Sequence, residues 1–198
     1  MKMLNKKLFI FLFLTTLLPF KLFAQGENEK LLGMIKIYGE GSRLNSQSAL
    51  SIGGSGNFII KERFVFGLYL NANSSMIRKN YLNDNNMKLD FVHGGILLQY
   101  MGRIKENTLW TIGARGGYAD ISLQRESLFI GLQSEKLYGA NAFVLQPETS
   151  VIFDFSPIFA FEFSAAYRLS QTKSPIFSNA ELSSLCISAG INFKIRDF

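Results

Sequence analysis

The stretch FAFEFSAAYRLS, Phe159–Ser170, alternates residue by residue between two kinds of side chain. Phe159, Phe161, Phe163, Ala165, Tyr167 and Leu169 fall on one face; Ala160, Glu162, Ser164, Ala166, Arg168 and Ser170 fall on the other. A period of two is the signature of a strand. The segment before it repeats the pattern, with Phe143, Leu145, Val151 and Phe153 against Gln146, Glu148, Ser150 and Asp154. One face is aromatic and uncharged, and every charge lies on the opposite one. That is how a strand reads when lipid lies on one side and a polar lumen on the other.

The same alternation recurs along the chain. Leu31–Glu40 places Ile35 and Ile37 outward and Lys36, Tyr38 and Glu40 inward, with a turn expected at Gly41–Gln47. Ser48–Ile60 and Phe64–Ala72 follow, then a polar loop at Arg78–Met87. Lys88–Ile104 puts Val92, Ile96, Leu98 and Tyr100 outward and His93, Gln99 and Arg103 inward. Thr108–Asp120 puts Trp110, Ile112, Ala114 and Tyr118 outward and Thr111 and Arg115 inward. Loops are expected at Ile121–Leu137 and Gln171–Leu182, and a last strand carries Leu185, Ile187, Ala189, Ile191, Phe193 and Ile195 outward. The fold class is therefore all-β: eight antiparallel strands in an up-and-down transmembrane β-barrel, tight turns at one end and longer loops at the other.

Paired residues must face the same side of the sheet, so each tight turn holds an odd number of residues. Three-residue turns are expected at Lys61–Arg63, Lys105–Asn107 and Phe155–Pro157. The last of these pairs Asp154 with Ile158 and sets Glu148 opposite Ser164 and Ser150 opposite Glu162. Glu148 and Glu162 are then diagonal neighbours, with Arg168 and Arg115 placed to bridge them. Pro147 sits inside this hairpin, where proline calls for a bulge or a strand end. Two aromatic girdles are expected: Phe64, Trp110, Phe153 and Phe159 beside the tight turns, and Tyr118, Phe143 and Tyr167 eight to ten residues away. At ~3.3 Å per residue and a tilt of ~40°, they lie roughly 20–25 Å apart, close to the ~25 Å apolar band of such barrels.

Residues 1–24 read as a secretory signal peptide: Lys2, Lys6 and Lys7, an apolar core from Leu8 to Phe20, then Leu22 and Ala24 before a cut at Gln25. Residues 25–198 form the barrel domain. Four of the 21 basic residues lie in the leader, which has no acid. The remainder therefore holds 17 basic against 15 acidic residues, which gives no basic footprint for nucleic acid. Cys186 is the single cysteine, so no internal disulfide can form.

Certain motifs are similar to those of the small eight-stranded outer-membrane β-barrel proteins of Gram-negative bacteria (the outer membrane protein beta-barrel domain family). They are Gly53, Gly54 and Gly56 before Ile59, Ile60, Phe64 and Gly67; Gly94 and Gly95 before Tyr100; Gln146, Pro147 and Glu148; and Tyr167 with Arg168. The resemblance spans about Leu31 to Phe198. It implies a place in the outer membrane among its lipids, and insertion by the barrel assembly machinery, for which the terminal aromatic Phe198 resembles the recognition signal. It supplies no catalytic residues.

The inward charges, Lys36, Arg115 and Arg168 against Glu40, Glu148 and Glu162, form a candidate lumen charge network. An eight-stranded lumen is narrow enough for side chains to fill it, and buried charges there must pair. The expectation is a plugged barrel with a structural or surface-interaction role and no enzymatic activity. Glu148 and Glu162 could also be read as an acid–base pair, but nearby arginines favour keeping both ionised. A lipid-modifying barrel enzyme would need His93, the only histidine, at the membrane face beside a serine or acid. A soluble lipocalin-like barrel would need the inverse pattern, apolar inside and charged outside. No metal-ligand set, phosphate-binding glycine loop or cofactor motif is recognisable in the sequence. Leu128, Phe129 and Ile130 form an apolar cluster in the Ile121–Leu137 loop. It reads first as a continuation of the flanking strands beyond the lipid, and second as a contact site for an extracellular partner of the outer loops.

Overall fold

The computed structural model describes residues 32–44, 47–73, 77–78, 87–125 and 135–195. Its strands are β1 (Leu32–Leu44), β2 (Gln47–Ile60), β3 (Phe64–Asn73), β4 (Ile77–Arg78), β5 (Met87–Lys105), β6 (Thr108–Arg125), β7 (Glu135–Asp154), β8 (Phe159–Thr172) and β9 (Ser184–Ile195). A short helix, α1 (Asn179–Leu182), precedes β9. All neighbours pair antiparallel, β9 pairs β1, and β3 meets β5, so the sheet closes on itself. The eight long strands make the barrel wall. The two-residue β4 pairs with β5 at Leu89 and Lys88.

The two faces follow from the period-two sequence. Ile35, Ile37, Leu50, Ile52, Leu98, Ile112, Phe161 and Phe163 are exposed on the outer surface. Lys36, Glu40, Arg115, Glu148, Glu162 and Arg168 are all buried inside. A soluble lipocalin-like barrel would reverse this arrangement, and that alternative is discarded.

Several boundaries differ from those expected. β1 runs to Leu44 and β2 starts at Gln47, so strand covers most of the turn expected at Gly41–Gln47. The turn after β5 has two residues, Glu106 and Asn107, and a register shift between Arg103 and Lys105 supplies the odd residue that parity demands. The β7–β8 turn is longer than three residues: Asp154 pairs with Ala160, not Ile158. Parity is kept, but every pair moves by two, so Glu148 faces Ala166 and Ser150 faces Ser164. Pro147 sits at neither a bulge nor a strand end. It points outward in mid-β7, the β7–β8 ladder skips Gln146 and Pro147, and the same register resumes beyond them. The missing proline N–H thus costs rungs without moving the phase.

The loop expected at Ile121–Leu137 is strand at both of its ends. β6 continues to Arg125 and β7 starts at Glu135, with Ile121 opposite Ala140 and Leu123 opposite Tyr138. Leu128, Phe129 and Ile130 lie outside the described residues, as do Phe198 and the leader. At ~3.3 Å per residue and ~40° tilt, β6 rises roughly 18 Å beyond Tyr118.

The β2–β3 turn holds a local strain. Lys61 and Glu62 have φ of 54° and 55°, and the Arg63 N–H donates to the Ile60 carbonyl at 3.1 Å. Two left-handed central residues make a type I′ turn, a geometry that favours Asn and Gly. Glu62→Gly is expected to raise the unfolding free energy by about 1 kcal/mol, read from urea unfolding in detergent. A loss of stability would show that the Glu62 side chain contributes more than the strain.

Candidate functional site in the lumen

The lumen is filled in three levels. Nearest the tight turns, Met34, Ile59, Val65, Tyr69, Leu97 and Met101 form an apolar cluster. The charged level lies above it. Lys36 Nζ meets Glu162 Oε1 at 2.7 Å, and Asn192 Nδ2 donates to Glu162 Oε2 at 2.8 Å. Arg115 Nη2 approaches Glu148 Oε2 at 2.6 Å and Glu40 Oε2 at 3.1 Å, while its Nη1 donates to the Tyr38 hydroxyl at 2.7 Å. The rings of Tyr38 and Tyr69 flank that guanidinium at 5.2 and 5.6 Å. Gln99 Nε2 donates to Glu148 Oε1 at 2.5 Å, and Gln146 Nε2 donates to Glu40 Oε2 at 3.0 Å. Burial this deep takes the carboxylates out of bulk solvent, where amide donors and cations compensate the lost hydration.

Glu148 and Glu162 are not brought together. The observed register sets them four residues apart along the hairpin, roughly 13 Å, each on its own cation. They form no acid–base pair. Arg168 bridges neither of them, contrary to expectation. Its Nη1 lies 3.9 Å from Glu40 Oε1, its Nε donates to the Leu182 carbonyl at 2.9 Å, and its Nη2 donates to the Arg43 carbonyl at 3.0 Å and to Ser184 Oγ at 3.1 Å. Its guanidinium also stacks 5.0 Å from the Phe91 ring centre. Arg168 therefore belongs to the boundary between the charged level and the level above.

That third level is apolar and was missed in the sequence. Leu44, Ala49, Leu89, Phe91, Ala119, Ile121, Leu123, Ala142 and Val144 line the long-loop end of the lumen, and Phe177 and Leu182 fill it from the β8–β9 connection. This connection is not an open loop. Ser178 and Glu181 form a capping box that nucleates α1, Ser183 Oγ accepts from the Ser170 N–H, and Asn179 Oδ1 accepts from the Thr172 N–H. The S-x-x-E spacing of Ser178–Glu181 was the available signal.

His93 faces this interior, 2% exposed. It is wedged between Phe91 and Tyr69, with Nδ1 3.5 Å from the Tyr69 hydroxyl. That is far from the outer surface on which a lipid-modifying histidine would work. Cys186 is buried beside Ser184. On the outside, Phe64, Trp110, Phe153 and Phe159 lie toward the tight turns. Tyr100 joins Phe64 to Trp110 through ring contacts at 5.6 and 5.8 Å, and Phe193 meets Phe159 at 5.2 Å. Tyr118 and Phe143 touch edge-on at 5.9 Å near the other border, where Tyr167 is also exposed.

No known family's sequence profile matches the chain, and no curated protein matches it in sequence. Solved structures do match. Neisserial surface protein A aligns over 83% of this chain and 97% of its own, at 13% identity and a TM-score of 0.60. Ail, the attachment invasion locus protein of Yersinia pestis, aligns over 85% and 99%, at 10% identity and 0.53. The N-terminal β-barrel domain of Pseudomonas aeruginosa OprF aligns over 82% and 97%, at 12% identity and 0.50. The chain has the fold of the small eight-stranded outer-membrane barrels.

Proposed function

We propose that this protein is an integral outer-membrane barrel of a Gram-negative cell, sealed and without enzymatic activity, whose tall β5–β7 wall presents a surface to an extracellular partner. The observation that carries this reading is the division of the wall. Its outward face is apolar between aromatic borders and turns polar just beyond Tyr118 and Phe143, at Asp120, Asn141 and Gln171. Its inward face is charged, paired and closed above and below by apolar side chains. The strands fix how much of the chain lipid can cover, and the extension of β6 and β7 exceeds it. On this reading residues 1–24 direct export and are removed, and the barrel assembly machinery inserts residues 25–198.

The decisive experiment is conductance in a planar bilayer. A lumen filled at three levels is expected to give no steady single-channel current, whereas large ohmic steps would overturn the sealed reading. An epitope inserted between Arg125 and Glu135 is expected to be stained by antibody on intact cells. Staining only after permeabilisation would remove the surface role.

A further inference from the structure

The outer surface has one place where the side-chain cover is missing. β1 presents Gly39 and Gly41 outward, between Ile52 and Leu50 on β2 and Ala189 and Ile187 on β9. A Cβ on Gly39 would meet nothing within 4 Å, and one on Gly41 only the Ile187 carbonyl at 3.9 Å. The backbone is thus the floor of a trough. Its walls stand bare: after Tyr118, the most exposed large hydrophobic residues among those described are Ile187 (64%), Leu185 (60%), Ile52 (59%) and Leu50 (57%). The upper part of the trough is a groove of about 900 Å³ reaching from Gly41 to Arg43, Ser48 and the α1 residue Ala180.

The groove ends in a cation. Arg43 is exposed, faces outward two residues above Gly41 and pairs across the ladder with Ser48. Among the described residues no carboxylate forms an ion pair with it. The Glu181 carboxylate, which also lines the groove, accepts from the Ser178 N–H and hydroxyl. Arg43 lies beside the start of β9, its N–H donating to Ser184 Oγ, and Ser184 pairs with Arg168 next to the border residue Tyr167. Interfacial tyrosines sit at headgroup depth. A guanidinium at that depth above an apolar trough matches a phosphate above an acyl chain.

We propose that this trough binds one anionic, phosphate-bearing lipid of the surrounding leaflet. One acyl chain lies over Gly39 and Gly41 between the two hydrophobic walls, and the phosphate rests on Arg43 and Ser48. The inference builds on the outer-membrane reading and names a lipid contact of that barrel.

The test is native mass spectrometry of the full barrel in neutral detergent, titrated separately with phosphatidylglycerol and phosphatidylcholine. Wild type is expected to retain one phosphatidylglycerol at a concentration roughly fivefold below that needed for phosphatidylcholine, the scale of one cation near a membrane surface. Arg43→Gln should abolish the preference. Gly41→Leu, which the open space tolerates, should weaken both lipids by filling the floor. Lys173→Gln, a charge change at the same end but outside the trough, should leave binding intact. Glycerol phosphate at equal concentration should not compete. Equal retention of both lipids by wild type, or unchanged preference in Arg43→Gln, would overturn the proposal. All variants are checked for heat-dependent gel migration. A wild type that migrates alike before and after boiling would sink the barrel reading, whereas a folded barrel without lipid preference would sink this inference alone.

Discussion

Arg115→Ala is expected to destabilise the barrel by about 3–5 kcal/mol, the usual cost of removing one partner from a buried ionic cluster. Arg115 is 2% exposed and is the cation shared by Glu148 and Glu40, at 2.6 and 3.1 Å. Its loss leaves two carboxylates facing each other in a lumen without bulk water. Gln99 and Gln146 each donate one hydrogen bond to them, which does not balance two charges. Adding Glu40→Gln and Glu148→Gln should recover much of the loss, because a neutral amide cluster has no charge to strand. Arg115→Lys should recover less, since one ammonium cannot span both carboxylates and the Tyr38 hydroxyl together. Urea unfolding in lipid vesicles measures all three variants against the wild type. A cost below about 1 kcal/mol for Arg115→Ala would mean that water reaches the cluster and the lumen is open.

Arg168→Ala is expected to cost about 2–4 kcal/mol and to loosen the β8–β9 connection as well. The side chain holds the Leu182 and Arg43 carbonyls and Ser184, so it ties the α1 plug to β1 and β9. Limited proteolysis should cut residues 173–183 faster in the variant while the strands stay protected. The double-mutant cycle discriminates between partners. Coupling to Glu40→Gln should exceed about 1 kcal/mol, and combination with Glu162→Gln should be additive within about 0.5 kcal/mol. Strong coupling to Glu162 would contradict the lumen contacts of Arg168, which reach Glu40, Arg43, Leu182 and Ser184.

Alternation in Phe159–Ser170 assigns every residue to a face, and facing is all that burial of Lys36, Glu162 or Arg168 requires. Parity of the tight turns fixes the phase between strands, and the structure keeps that phase on all eight long strands. Parity does not separate a three-residue turn from a five-residue one. Both are odd, so the β7–β8 register slipped by two with no side chain changing face, and Glu148 moved from Ser164 to Ala166. Which inward residues meet across the lumen depends on barrel tilt and stagger. Lys36 on β1 finds Glu162 on β8, with β9 between them, and no spacing in the sequence encodes that.

The upper lumen was hidden for a different reason. Beyond Tyr118, β6 reads Ala119, Asp120, Ile121, Ser122, Leu123, with the apolar residues now on the inward phase. A reader expecting polar-inside takes this as the end of the strand. The strand in fact continues, and the lumen changes character because Phe177 and Leu182 enter from above.

Along β8, alternate residues face the outer surface and the lumen. Nitroxide labels placed singly from Phe159 to Leu169, in a Cys186→Ser background in phospholipid vesicles, read that alternation through collision with oxygen and with a water-soluble nickel chelate. High oxygen collision is expected at Phe161, Phe163 and Ala165, low collision with both reagents at Glu162, Ser164 and Ala166, and nickel access only toward the two ends. Nickel access at Phe161 and Phe163 through the middle of the strand, or a lumen face open to nickel along its length, would contradict it.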